Sequence, residues 1–479
     1  MRAYKSKVVT PIRLPDRDER EENLQQAGYN VFNLDSDAVF VDLLTDSGTG
    51  TMSENQWAAI MKGDEAYAGS RSFERLQSAV SDVMGFERII PAHQGRGAEN
   101  VLYGALVEDG DYVPNNTHFD TTRAHIANNG AEPVDCPRDG ALGDEDEARP
   151  DEDDSAFAGD LDVEKVRELA DEVGAENIPA VLVTITNNSL AGQPVSVENV
   201  REAREVADEL DATFVIDACR FAENAYFVRE REEEFAGESV ADVAREQLSY
   251  ADALVMSGKK DGLANVGGFV ALRDDPELDG LHAKARERGI LYEGFTTYGG
   301  MAGRDLEAMA VGLREAVEES YIEDRVSQVQ RLGDMLAERD VPVQRPTGGH
   351  AVYVDAAEFL PEIPPERFPG QALVCELYRE GAVRGVELGS FAFPETDRPE
   401  LVRLCLPRRT YGADHLEHVA ETFEEVAERR DAGEVSGLEI VEEPEMAELR
   451  HFSAELRPVG GSEERKEQGQ EQEATADDD

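Results

Sequence analysis

Lysine is scarce in this chain for its size. Only eight of its 479 residues are Lys, and the basic residues together number 47 against 103 acidic ones, for a formal net charge of −56. Such a surface repels nucleic acid and anionic membranes, which excludes both as partners. It is the surface expected in a halophilic cytosol, where acidic, lysine-poor proteins stay hydrated. Cysteine is scarce too. Cys136, Cys219, Cys375 and Cys405 are scattered with no C-x-x-C spacing, so neither a zinc knot nor a disulfide framework is expected, and a reducing compartment fits. The start, Met-Arg-Ala-Tyr-Lys-Ser-Lys, has no apolar signal-peptide core. No apolar run approaches the length of a membrane span. The expectation is a soluble, cytoplasmic protein.

Against that scarcity, two lysines stand side by side in Val255-Met256-Ser257-Gly258-Lys259-Lys260-Asp261-Gly262. Apolar runs at 253–256 and 269–272 flank them, which reads as strand, turn, strand. Burial disfavours the charged form of an amine, so a lysine on a partly buried Gly-rich turn is suited to form a Schiff base with a carbonyl.

Around this turn the chain alternates strand and helix from about residue 85 to 275, the pattern of a mostly parallel α/β sheet. Pro179 to Thr186 and Ala212 to Ile216 read as buried strands, and Val197 to Leu210 as a helix. Ser53 is a plausible cap for a helix reaching about Lys62. The stretch 117–122 reads as a loop. One long helix, about Arg304 to Arg331, is expected to join two domains. Residues 50–310 form the large one, and 1–49 with 311–458 a smaller α+β domain and N-terminal arm. The acidic stretch 135–160 reads as a solvated loop, and 459–479 as a disordered acidic tail.

Polar residues gather where strands end, the usual ligand-binding edge of an open α/β sheet. Pyridoxal phosphate needs an amine, an anion cradle, a carboxylate for its pyridine nitrogen and a face for its ring. Lys260 offers the amine. Gln94-Gly95-Arg96, opening a helix, offers the cradle with Ser257, because helix N-termini favour phosphate. Asp217 offers the carboxylate, Arg220 a contact to the phenolic oxygen, and Phe119 the stacking face. Singly, each residue has a plainer role: Asp217 as a helix cap, Arg220 as an ion-pair partner, Phe119 as core. Their joint placement at strand ends favours the cofactor.

The segments Thr45-Asp46-Ser47-Gly48-Thr49, Gly63-Asp64-Glu65-Ala66-Tyr67, His93-Gln94-Gly95-Arg96-Gly97-Ala98-Glu99, Gly192-Gln193-Pro194-Val195-Ser196, Arg220-Phe221-Ala222-Glu223-Asn224-Ala225-Tyr226-Phe227 and Met256-Ser257-Gly258-Lys259-Lys260-Asp261 resemble the β-eliminating lyases. That family contains tryptophanase and tyrosine phenol-lyase, and the resemblance runs from about residue 30 to 455. It implies pyridoxal-phosphate fold type I, with a mostly parallel seven-stranded sheet in the large domain, a homotetramer and activation by K⁺. Carried over by position, it implies Lys260 as the Schiff-base lysine and Asp217 as the pyridinium partner. Arg403, with Asn188 and Thr45, would bind the substrate carboxylate, with Asn188 also beside the cofactor. Glu65 and the carbonyls of Gly48 and Asn265 would hold the cation. Tyr67, Asp120 and His451 are the candidates to protonate the leaving ring.

Three positions resemble the tryptophan-cleaving branch: Asp120, where phenol-lyases carry threonine; Leu388, where they carry arginine; and His451, where they carry phenylalanine. Gly258 and Asn265 resemble the phenol-lyase form instead. The expected reaction is β-elimination of L-tryptophan to indole, pyruvate and ammonia. The alternatives are a phenol-lyase, a broader β-lyase on serine or cysteine derivatives, and an acidic scaffold on an inactive lyase fold.

Overall fold

The computed structural model describes residues 4–141, 156–394, 398–446 and 449–459. The expected acidic tail, beyond its first residue, and most of the acidic loop lie outside the described residues.

Seven strands form the main sheet: β1 Arg88–Ala92, β2 Tyr112–Asn115, β3 Glu132–Asp135, β4 Ala180–Thr184, β5 Thr213–Asp217, β6 Ala253–Ser257 and β7 Gly268–Leu272. Their order is β1-β7-β6-β5-β4-β2-β3. All neighbours run parallel except β7, which is antiparallel to both β1 and β6. Strands β4, β6 and β7 are buried at every position, and β4 and β6 read as unbroken apolar runs for that reason. One apolar core lies on each face of the sheet. The register brings Ser257, Gly268 and Ala92 to the same edge. Asp217 and Thr184 pair at the parallel strands' C-terminal ends, so the strand-end residues share one rim.

A third core joins Leu24, Val31 and Val41 of the N-terminal segment to residues 329–456. Its sheet has β8 Ala351–Asp355, β9 Val386–Glu387 and β10 Leu401–Cys405, with β10 central and antiparallel to both neighbours. A short strand, Val41–Asp42, pairs in parallel with Val383–Arg384.

Two elements differ from expectation. The single long helix is two, Gly303–Ala316 and Glu319–Ala337. Val317 leaves helical geometry and Glu318 turns extended (φ −70°, ψ 124°), which lets the first helix pack under the sheet and the second cross to the third core. The stretch read as a loop at 117–122 instead starts a helix, Asp120–Asn128. Buried Glu99 accepts hydrogen bonds from Thr121 Oγ1 (2.6 Å) and Thr122 Oγ1 (2.7 Å) and so anchors its first turn. The Ser53 cap is as expected, in a reciprocal capping box with Gln56 ahead of helix Glu54–Ile60.

All four cysteines are free and buried. Among the described residues, no helix is long and apolar enough to cross a membrane.

Candidate active site

The lysine turn separates its two amines. Lys259 runs to the Gly48 loop: its backbone carbonyl accepts the Gly48 N–H at 2.8 Å, and its side-chain stem lies where a Cβ on Gly48 would sit. Burial, Lys260 and Arg96 lower its pKa. Lys260 turns the other way and places Nζ 5.8 Å from the centre of the Phe119 ring. Phe119 lines a cavity of about 590 Å³.

Beside the turn, helix Gly95–Leu106 begins at Gln94, which is extended and makes no side-chain cap. Its first N–H groups therefore face the strand-end rim without an intrahelical partner. A Cβ on Gly95 would come within 2.8 Å of Ser257 Cβ, so only glycine lets the helix start approach β6 this closely. Asp217 does not cap the following helix. Its Oδ1 accepts the Cys219 N–H at 3.0 Å, and the helix starts later, at Phe221. An amine, a helix-start cradle, a strand-end carboxylate and an aromatic face thus share one rim. These residues fit pyridoxal phosphate.

Arg220 is less free than expected. It grips Asp46 through Nε (3.1 Å) and Nη2 (2.9 Å), wholly inside the protein. This pair belongs to a buried network of three arginines and three carboxylates that the sequence reading missed. Arg408 reaches Asp46 (2.9 Å), Glu223 (2.8 Å) and Asp261 (2.8 Å), and Arg325 reaches Glu223 (3.0 Å). Asp261 follows Lys260 directly, and its Oδ2 accepts the N–H groups of Ala222 (2.9 Å) and Glu223 (3.2 Å). The turn is thereby clamped to helix Phe221–Arg231. Burial works against the charge on Asp46, but Arg220 and Arg408 overcome it and hold the carboxyl well below its usual range. Burial and neighbouring Glu223 push Asp261 upward.

The cavity's far wall carries the expected carboxylate-binding group. Arg403 Nη1 donates to Asn188 Oδ1 at 2.9 Å, and its Nε has no partner among the described residues. Burial opposes its charge, while Cys405, Tyr353 and Asp46 raise its pKa. Asn188 Oδ1 also faces His350 Nε2 (3.0 Å) and accepts from the Tyr353 hydroxyl (3.1 Å). Three neighbours on one oxygen fix the amide's orientation. Burial, then Arg220, depress His350 far below its normal value, so it is neutral. Neither His350 nor Tyr353 was singled out from the sequence.

Thr45, Asn188, Arg403, Asp120, Leu388 and His451 all line the cavity. Asp120 is open to it yet crowded by protein. That crowding raises its carboxyl above the usual range, opposed by Arg398, Arg403 and Arg123. Burial, with Arg450, pushes His451 down to about 4, and its Nδ1 is buried without a partner among the described residues.

Tyr67 is 69% exposed and stacks on Phe295 (5.5 Å) beside Tyr298 (5.3 Å), outside the cavity lining. Of the expected cation ligands, Gly48 and Asn265 meet: Asn265 Nδ2 donates to the Gly48 carbonyl at 2.8 Å. Glu65 points elsewhere, accepting the Gly303 N–H (3.0 Å) and pairing with Arg304 (3.6 Å). The chain does not gather these three into a single shell.

The β-eliminating lyase family model matches residues 42–422, spanning every cavity residue named above except His451. The chain belongs to the β-eliminating lyase family. It is 64% identical over 459 residues to a probable tryptophanase of Halobacterium salinarum, covering 96% of this chain and all of that one. It is 48% identical to a tryptophanase of Salinibacter ruber (95% of each chain) and 46% identical to a tyrosine phenol-lyase of Pasteurella multocida (95% of this chain, 98% of that one). Among solved structures, the fold resembles SPT with PLP, with a TM-score of 0.60 at 16% identity over 87% of this chain and 97% of that one. The architecture is pyridoxal-phosphate fold type I, and the protein is a lyase by family.

Proposed function

We propose that this lyase binds pyridoxal phosphate and catalyses β-elimination of L-tryptophan to indole, pyruvate and ammonia. The observation that carries the substrate is the cavity lining: Asp120, Leu388 and His451 line the same cavity as Arg403. Asp120 can accept the indole N–H, and Leu388 suits the apolar ring edge where an arginine would meet a phenol's oxygen. The 64% identity to a probable tryptophanase supports the same reading.

Bound pyridoxal phosphate supplies an aldehyde for the substrate amine and an electron-withdrawing ring. Lys260 Nζ holds the cofactor at rest and, once free, removes the proton from the substrate Cα. Gly95 and Arg96 N–H groups with Ser257 hold the phosphate. Asp217 keeps the proton on the pyridine nitrogen. Arg403 binds the substrate carboxylate, oriented by Asn188. The ring leaves after a proton reaches indole C3. Asp120, raised by its crowded setting, holds a proton better than a surface aspartate. His451, neutral at pH 7, serves as a hydrogen-bonding group rather than a charged acid.

No step is assigned to K⁺, because Glu65 stands apart from Gly48 and Asn265. A homotetramer belongs to this reading. The exposed Val8, Val9, Ile12 and Leu14 of the N-terminal segment, with Leu291 and Tyr292, supply apolar surface for it.

Product analysis decides the substrate. With added pyridoxal phosphate at high KCl, L-tryptophan should release indole far faster than L-tyrosine releases phenol. Comparable rates would overturn the assignment to tryptophan, and phenol release alone would favour the sister activity.

A further inference from the structure

The segment after β9 forms part of the cavity wall through Leu388, Ala392 and Phe393. It has no regular structure to hold it. Its backbone is instead held by two buried carboxyl groups. Glu387 accepts the N–H groups of Gly389 (2.6 Å) and Phe391 (3.1 Å) on Oε1, and that of Ala392 (2.8 Å) on Oε2. Glu400, just before β10, accepts the Ser390 N–H at 3.0 Å. Both carboxyls press on one glycine: a Cβ on Gly389 would lie 2.5 Å from Glu400 Oε2 and 2.9 Å from Glu387 Oε1. From the other side Arg450 donates to the carbonyls of Phe391 (2.9 Å) and Ser390 (2.5 Å), and the next residue is His451 of the same cavity.

We propose that Glu387 and Glu400 are positioning residues for ring selectivity, fixing the wall that Leu388, Ala392 and Phe393 present to the substrate side chain. Two buried carboxylates sharing one site cannot both ionise cheaply, so the pair carries a proton. Burial, then Glu400, push Glu387 up to about 8, which places that proton on Glu387 at neutral pH. Glu387 accepts backbone N–H groups on both oxygens, and Glu400 Oε2 is buried beside Gly389 with no partner among the described residues. Val386 pairs with Arg403 in the strand register, but the wall beyond β9 hangs on Glu387, Glu400 and Arg450 instead. Its loosening should therefore penalise a large ring and spare a small side chain. This inference rests on the proposed elimination reaction and names what selects within it.

The test compares kcat/KM for L-tryptophan and S-methyl-L-cysteine, and indole affinity by calorimetry, in the cofactor-loaded wild type and three variants. Glu387→Ala should lose about tenfold or more in kcat/KM for tryptophan, the scale at which an apolar pocket discriminates, while S-methylcysteine changes by about twofold or less. Indole affinity should fall with tryptophan. Glu387→Gln keeps one oxygen for the Gly389 and Phe391 N–H groups but sets an amide N–H against that of Ala392, so its ratio should fall between those of the wild type and Glu387→Ala. Gly389→Ala, which forces the wall off the carboxyl pair without changing charge, should behave as Glu387→Ala and decides the matter if that variant does not fold. Parallel losses on both substrates, an unchanged ratio in Glu387→Ala and Gly389→Ala, or a Gln variant as impaired as the Ala variant would overturn the proposal. If the wild type turns over neither substrate, the elimination reading has failed, and unchanged indole affinity across the variants would overturn this inference separately.

Discussion

Arg403 has a planar fork turned toward the cavity and is held in place by Asn188. A lysine keeps the charge but not the fork, so Arg403→Lys should raise KM for the amino acid about tenfold or more with a smaller change in kcat. Steady-state kinetics on tryptophan check this, and an unchanged KM would remove Arg403 from the carboxylate site. His451 makes a prediction about pH. Its native pKa is held down to about 4, whereas the unfolded side chain titrates near 6.5. Between those values the unfolded chain binds the extra proton, so stability is fully present above about 6.5 and is lost as pH falls toward 4. The wild type should therefore lose more stability between pH 7 and pH 5 than His451→Phe does. Denaturant titrations that fall in parallel would contradict it.

At the scale of elements, the buried ionic network ties together segments far apart in the chain. Asp46 and Arg220 are 174 positions apart, yet they and Arg408 meet beneath the lysine turn. Removing Asp46 leaves Arg220 buried without its ion-pair partner, which costs roughly 3–5 kcal/mol. Asp46→Ala should lose about that much in a denaturant titration at high salt, and a loss under about 1 kcal/mol would show the network to be dispensable. This separation also explains what could be read from the sequence. Strand, turn and strand around Lys260 were legible because local apolar runs bound them. The helix start at Gly95 was legible from its glycines. The network was not, because nothing local distinguishes an arginine bound for the interior from the many on the surface. The break at Val317–Glu318 was missed for a related reason. Both flanking stretches favour helix, and packing on two different cores makes them part. Helix Asp120–Asn128 was hidden because its anchor, Glu99, lies on another helix.

For the molecule as a whole, charge is divided by depth. The surface carries most of the −56, while Arg220, Arg325 and Arg408 are buried with the three carboxylates that neutralise them, and Arg403 stands half-buried in the cavity. A carboxylate substrate meets Arg403 only after entering the cleft. The surface, in contrast, repels itself unless counter-ions screen it, and the Debye length shrinks from about 10 Å at 0.1 M to about 3 Å at 1 M salt. Thermal unfolding should shift to higher temperature as KCl rises from 0.1 to 2 M, and a salt-independent Tm would contradict that. The central claim is narrower: the strand-end rim is a cofactor site whose covalent anchor is Lys260 and not its neighbour. Borohydride reduction of the pyridoxal-phosphate-loaded protein, followed by peptide mapping, tests it directly. The account predicts one modified lysine, Lys260, and no modification in Lys260→Ala. A label on Lys259, or none in the loaded wild type, would contradict it.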